Sequence, residues 1–210
     1  MKKINSDFIK LNIGLFLYSL GMVIGYEAHV GYAPWEVFHV GISKVTNISI
    51  GQASILVGLL ILLYTILKKE PLGIGSILNM IVVGLVFDLI LYLGFIPTSH
   101  SFTQSMIYVF LAMVIISFAT YFYVGAGFGA GPRDGLMISI SRRFGFSMGA
   151  SRRFIEITVT VLGYFMGGQV GIGTLIFAFV TGYIMDFIFT KVNFDPKTVE
   201  HRLIKKRQTT

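Results

Sequence analysis

Cysteine is absent from the 210-residue chain. Disulfides and thiolate metal ligands are therefore excluded, and the redox compartment leaves no mark on the sequence. Charge is also scarce: charged residues make up 13%, about half of what a soluble domain usually carries. The four histidines, at 29, 39, 100 and 201, have no metal-ligand spacing. His29 and His39, near Glu27 and Glu36, read as a partly solvated cluster on the outer face. No Ser-His-Asp spacing and no ATP-binding motif is present. Gly125-Ala-Gly-Phe-Gly has the glycine content of a dinucleotide loop, but no strand precedes it. These absences predict no enzyme, no cofactor and no metal.

Apolar residues are plentiful. They account for 54% of the chain, with a mean hydropathy of +0.77, and gather into runs near the ~20 residues that cross a bilayer. The runs at 11–29, 51–67, 75–97, 104–126, 150–167 and 171–190 predict six transmembrane helices. The net charge of +7 is a topology signal and does not point to nucleic acid. Lys2, Lys3, Lys10, Lys68, Lys69, the arginines from 133 to 153 and the basic tail at 193–210 all fall on one side, while 96–103 and 167–170 carry no Lys or Arg. The positive-inside rule makes that side the cytoplasm and places both termini there. The chain is expected to lie in a membrane, with the lipid bilayer as first partner. The first run resembles a signal peptide loosely, but it has a counterpart later in the chain and reads as retained.

That counterpart belongs to an internal repeat. At an offset of 98 positions Pro34 meets Pro132, Gly73-Ile74-Gly75 meets Gly171-Ile172-Gly173, and Asp88 meets Asp186. The units are 1–98 and 99–192. Each holds three spans, an odd number, so the second is predicted to sit inverted relative to the first. Inverted three-plus-three units recur among transporters, although a duplication can also serve structure alone.

Within each unit lies a segment too short to cross, 34–45 and 132–144. Pro34 and Pro132 suit a first helical turn. Glu36 and Asp134 suit the positive helix start, and Lys44, Arg142 and Arg143 the negative end. Asn47 and Gly145 are terminators. Each segment is a short helix, either re-entrant or interfacial, and the glycine-rich approaches favour the re-entrant form. Gly73, Gly75, Gly171 and Gly173 read as packing or hinge positions.

Charge inside hydrocarbon marks candidate sites. Asp88 and Asp186 are candidates for ion or proton coupling, or are carboxylates near the headgroups. Arg133 stands at a helix start, where the dipole disfavours a cation; Asp134, Glu156, Asp186 or an anionic ligand would compensate it. Arg153 and Glu156, three apart, share a helix face and can pair. Their first-unit counterparts are Ile55 and Gly58, and that of Arg133 is Trp35. Symmetric structure with asymmetric charge puts the substrate site in the second unit, at Pro132, Arg133, Asp134, Arg153 and Glu156, with Pro34 and Glu36 facing it. A structural ion-pair cluster is the plainer alternative, and Trp35 reads as an interfacial anchor.

Ala33-Pro34-Trp35-Glu36, Ile48-Ser49-Ile50-Gly51, Pro71-Leu72-Gly73-Ile74-Gly75 with Asn79, Gly131-Pro132-Arg133-Asp134-Gly135-Leu136-Met137, Arg153 with Glu156, and Gly167-Gly168-Gln169-Val170-Gly171-Ile172-Gly173-Thr174 together resemble the bacterial YczE/YyaS/YitT-type membrane proteins, nearest the YczE-like ones. Glu36 stands where Asp is expected. The resemblance implies an integral protein of the cytoplasmic membrane, loosely tied to export or accessory roles in secondary metabolism. It carries over no substrate.

The leading expectation is a transporter or exporter of a small anionic or zwitterionic solute, coupled to an ion gradient or a partner. The alternative is a non-transporting accessory protein that scaffolds a membrane-associated partner. A protein partner or a homodimer is open under either reading.

Overall fold

The computed structural model describes residues 2–205 apart from 69–71, 130 and 147, and excludes the side chains of 2, 3, 134, 148, 149, 197, 204 and 205. Its elements are α1 (Lys2–Glu27), α2 (Pro34–Thr46), α3 (Ile50–Leu67), β1 (Leu72–Gly73), α4 (Ile74–Leu93), α5 (Phe102–Gly125), α6 (Pro132–Phe144), α7 (Met148–Phe165), α8 (Ile172–Lys191) and β2 (Leu203–Lys205), with a 3-10 turn at Pro196–Thr198. The fold is all-α.

Helix boundaries follow local chemistry. Ser49 caps α3 with a reciprocal bond to Gln52, and the Ser101 side chain accepts from the Gln104 amide at the start of α5. Pro34 and Pro132 open α2 and α6, and both helices end on a left-handed residue, Asn47 (φ 58°) and Gly145 (φ 69°). In the turn after each, a serine hydroxyl donates to a carbonyl: Ser43 to Ile48 at 2.6 Å, and Ser141 to Phe146 at 2.7 Å.

Among the described residues, five helices are long and apolar enough to cross a membrane: Ile4–Glu27 of α1, then α3, α4, α5 and α8. Six spans were expected. The run at 150–167 is helical as α7, but Arg152, Arg153 and Glu156 lower its hydropathy below that of the others. The helix of α1 also begins well before its apolar run, at Lys2.

The spine of the fold is α1 packed along α5. Without water to drive helices together, association in a bilayer depends on close packing of small residues. A Cβ on Gly14 would lie 2.6 Å from the Tyr123 nitrogen, and one on Gly21 2.7 Å from Ile116. Around this pair, Leu11, Leu15, Val83, Phe87 and Tyr123 form one core cluster. A second cluster, Trp35, Ile42, Ala53, Val57, Ile155 and Val159, joins α2, α3 and α7. The short helix α2 packs mainly on α7, and α6 on α3. Eight of the thirteen α2 residues are buried, so it lies inside the bundle.

Two contacts exchange partners between the halves. The Gly75 amide donates to the Phe128 carbonyl at 2.8 Å, and the Gly173 amide to the Val30 carbonyl at 2.7 Å. Each glycine stands 98 residues from the other, and so does each acceptor. Gly73 and Gly171 meet the same carbonyls: an added Cβ would approach Phe128 O to 2.0 Å and Val30 O to 2.5 Å. Behind α8 the tail folds back. β2 pairs antiparallel with β1, the Arg202 amide donates to Gly127 O at 2.7 Å, and the Arg202 guanidinium pairs with Asp7.

Candidate functional site

The starts of α2 and α6 meet in the interior. The Arg133 guanidinium lies over the Trp35 ring, 4.7 Å from its centroid. These residues occupy corresponding positions in the two short helices. Trp35 is only 9% exposed, which corrects the expectation of an interfacial anchor: the indole is the platform on which Arg133 rests. Among the described residues Arg133 has no hydrogen-bond or ion-pair partner. It is partly exposed, and the space it faces is a pair of cavities.

The smaller cavity, about 60 Å³, lies where α3 and α4 face the spine. Its polar wall is Arg133, His39, Ser54, Asn79 and the phenols Tyr18 and Tyr123, with Gly131 and Pro132 at the start of α6. The larger, about 490 Å³, lies between α7 and α8 and reaches the tail at Pro196 and His201. Trp35, Met137, Ile155, Met185 and Phe189 give it an apolar wall that Arg152 and Glu156 interrupt. Tyr18, Tyr123 and Arg133 border both cavities and form the partition between them.

Of the expected site residues, Pro132, Arg133 and Glu156 come together here, with Glu36 behind them. Glu36 is 6% exposed and within electrostatic reach of both Arg133 and Glu156. Pro34 is buried at the start of α2. The side chain of Asp134 lies outside the described residues. Arg153 is exposed and takes no part. Glu156 pairs instead with Arg152, Nε to Oε1 at 2.8 Å. Both arginines lie within a turn of Glu156, and the spacing of four brings Arg152 onto the cavity side.

The two aspartates diverge. Asp88 holds the start of α3, accepting from the Gly51 amide at 2.8 Å and from the Ser49 hydroxyl. Both of its oxygens are thus used on a helix N-terminus, a favourable place for a carboxylate. Asp186 is exposed on α8. His39 was expected in an outer cluster, yet it is 1% exposed and its Nδ1 has no partner. His29 does pair with Glu27, at 3.5 Å. Sequence reasoning missed His39, Tyr18 and Tyr123 as cavity residues. The one available signal was that His39 lies five residues after Pro34, on the turn following Trp35.

Among the described residues no group of acids and histidines could hold a metal ion. Among the described residues the arrangement offers a cation and an imidazole nitrogen without hydrogen-bond partners, with amide, hydroxyl and phenol groups around the two cavities.

Three curated proteins are similar over most of their length. The uncharacterised membrane protein YczE of Bacillus subtilis is 34% identical over 83% of this chain and 81% of its own. An uncharacterised protein of Haemophilus influenzae is 37% identical over 75% and 72%. The uncharacterised protein YyaS of B. subtilis is 24% identical over 96% and 98%. No solved structure matches. With residues 6–190 matching the family of unknown function DUF6198, and apolar helices suited to a bilayer, the chain is a multi-pass membrane protein that belongs to the DUF6198 family.

Proposed function

We propose that this protein transports a small anionic or zwitterionic solute by alternating access, with the solute held at Arg133. The observation that carries the reading is the unpartnered guanidinium in the interior. A cation inside the membrane costs about 2.5–3.5 kcal/mol on insertion scales, so one with no hydrogen-bond or ion-pair partner among the described residues, beside a cavity, is poised for an anionic group. Guanidinium matches carboxylate or phosphate through paired hydrogen bonds.

The architecture fits that role as two inverted three-helix units. The exchange of partners between Gly75–Phe128 and Gly173–Val30, and the meeting of Trp35 with Arg133, are what a two-fold axis in the membrane plane produces. In that class the site lies at mid-membrane where short helices from both units converge. With both termini cytoplasmic, the larger cavity faces the cytoplasm. Arg152 paired with Glu156 lines the inner route. Proton or ion coupling falls to Glu36, Glu156 or Asp186, since Asp88 already holds α3.

The test is uptake into proteoliposomes, screened over carboxylates, amino acids and phosphate esters with and without a pH gradient. A transported solute is expected, and Arg133→Ala should cut its uptake at least about tenfold, the ~1.4 kcal/mol scale of one lost charged contact, with the melting temperature preserved. A panel in which nothing moves and nothing stabilises the protein would overturn the reading in favour of the accessory role.

A further inference from the structure

Resting on the site just proposed, the structure points to a narrower ligand class. We infer that the site takes a monocarboxylate with an apolar body: the carboxylate is bound between Arg133 and His39 Nδ1, and the apolar part lies in the larger cavity against Trp35. Four observations converge on this.

First, two polar groups, both from residues that line the small cavity, lack partners among the described residues. One is the Arg133 guanidinium and the other is His39 Nδ1, whose ring is 1% exposed. A buried polar atom without a partner carries a desolvation penalty, and native proteins keep few of them. In the tautomer with its proton on Nδ1, His39 donates to one carboxylate oxygen while Arg133 donates to the other. The His39 ring lies 6.3 Å from the Trp35 ring, and Arg133 lies on that same indole, so both donors are anchored to one platform.

Second, the small chamber limits the head. About 60 Å³ admits a few water-sized groups, enough for a carboxylate and its nearest carbon. Third, the cavity beyond the partition is about 490 Å³ and its walls are mainly apolar: Trp35, Val124, Met137, Ile155, Met185 and Phe189. That is the size and character of a pocket for a drug-sized apolar group.

Fourth, the local charge favours a single negative charge. Glu36 lies in the electrostatic neighbourhood of both Arg133 and Glu156, while Glu156 lines the larger cavity with Arg133 and already occupies Arg152. A second charge on the ligand would meet two carboxyl groups with one free guanidinium to offset them.

The experiment is a thermal-shift series on the full-length protein in detergent, with phenylacetate, isovalerate, acetate, phenylacetamide and phenyl phosphate as probes. A ligand that binds the folded state raises its melting temperature in proportion to occupancy. Phenylacetate and isovalerate are expected to give clear shifts. Acetate lacks the body, phenylacetamide the charge and phenyl phosphate the single charge, and all three should give little or none. His39→Leu should weaken phenylacetate binding about tenfold, and Arg133→Gln should abolish it.

Equal shifts with acetate and phenylacetate would remove the apolar body, and a shift with phenylacetamide or phenyl phosphate would remove the carboxylate head. The probes decide these points on the unaltered protein, so poor folding of a variant does not leave the inference standing by default. If amino acids or phosphate esters stabilise the protein through Arg133 while the monocarboxylates do not, the ligand class fails and the transport reading survives. If the monocarboxylates bind as described but never cross a proteoliposome membrane, the ligand class survives and transport fails.

Discussion

The two halves build the same seam and close it differently. In the first half α3 lies against α4: a Cβ on Gly51 would sit 2.1 Å from the Gly84 carbonyl, and Asp88 of α4 bonds the first turn of α3. In the second half α7 and α8 scarcely meet. Gly182, the counterpart of Gly84, has nothing within 4 Å, and Asp186, the counterpart of Asp88, is exposed. The larger cavity occupies the gap this leaves. Corresponding glycines and aspartates therefore do not dictate corresponding contacts. The same elements can clasp or part, and this structure holds one of each.

The comparison breaks first at the glycines. Gly51→Leu should be the most damaging change, destabilising by about 3 kcal/mol or more because the neighbour it meets is backbone. Gly182→Leu should stay within about 0.5 kcal/mol. Melting in detergent of the two variants side by side checks this, and equal losses would mean that the second seam is also closed. Next comes the pair of acids. Asp88→Ala removes both bonds to the start of α3 and should cost about 0.5–2 kcal/mol, the range for a lost helix cap, whereas Asp186→Ala should be near neutral. A single cysteine at Ser54, introduced into the naturally cysteine-free chain, should become more reactive to impermeant thiol reagents in the Asp88 variant. The smallest effect is expected on α7. Exposed ion pairs are worth roughly 0.2–1 kcal/mol, so Arg152→Ala should lower stability slightly and Arg153→Ala not measurably. A double-mutant cycle with Glu156→Gln should find coupling to Arg152 alone.

Much of the helical layout was legible because it rests on local chemistry. Apolar runs mark the spans, Pro34 and Pro132 mark starts that need no amide hydrogen, and Asn47 and Gly145 mark ends that need a left-handed backbone. The 98-residue offset also brought the glycines of Gly73 and Gly171 into view as close-packing positions. What escaped depends on which way a helix is rotated. Arg152 and Arg153 are equally plausible partners for Glu156 along the chain, and only the packing of α7 against α2 turns one inward. His39 lay among outer-face candidates because a histidine near two glutamates reads as solvated, and the depth to which α2 is buried is a tertiary property. The different fates of Asp88 and Asp186 are equally invisible to a sequence in which they correspond.

The indole beneath Arg133 is the sole tryptophan of the chain. The molecule therefore carries a built-in optical reporter at its candidate site. Excited at the red edge of the aromatic band, where the ten tyrosines absorb weakly, its emission comes from one place, beside a guanidinium and an imidazole. Any occupant that draws Arg133 off the ring, or drains water from the cavity beside it, changes the colour or intensity of that light without a label or a mutation.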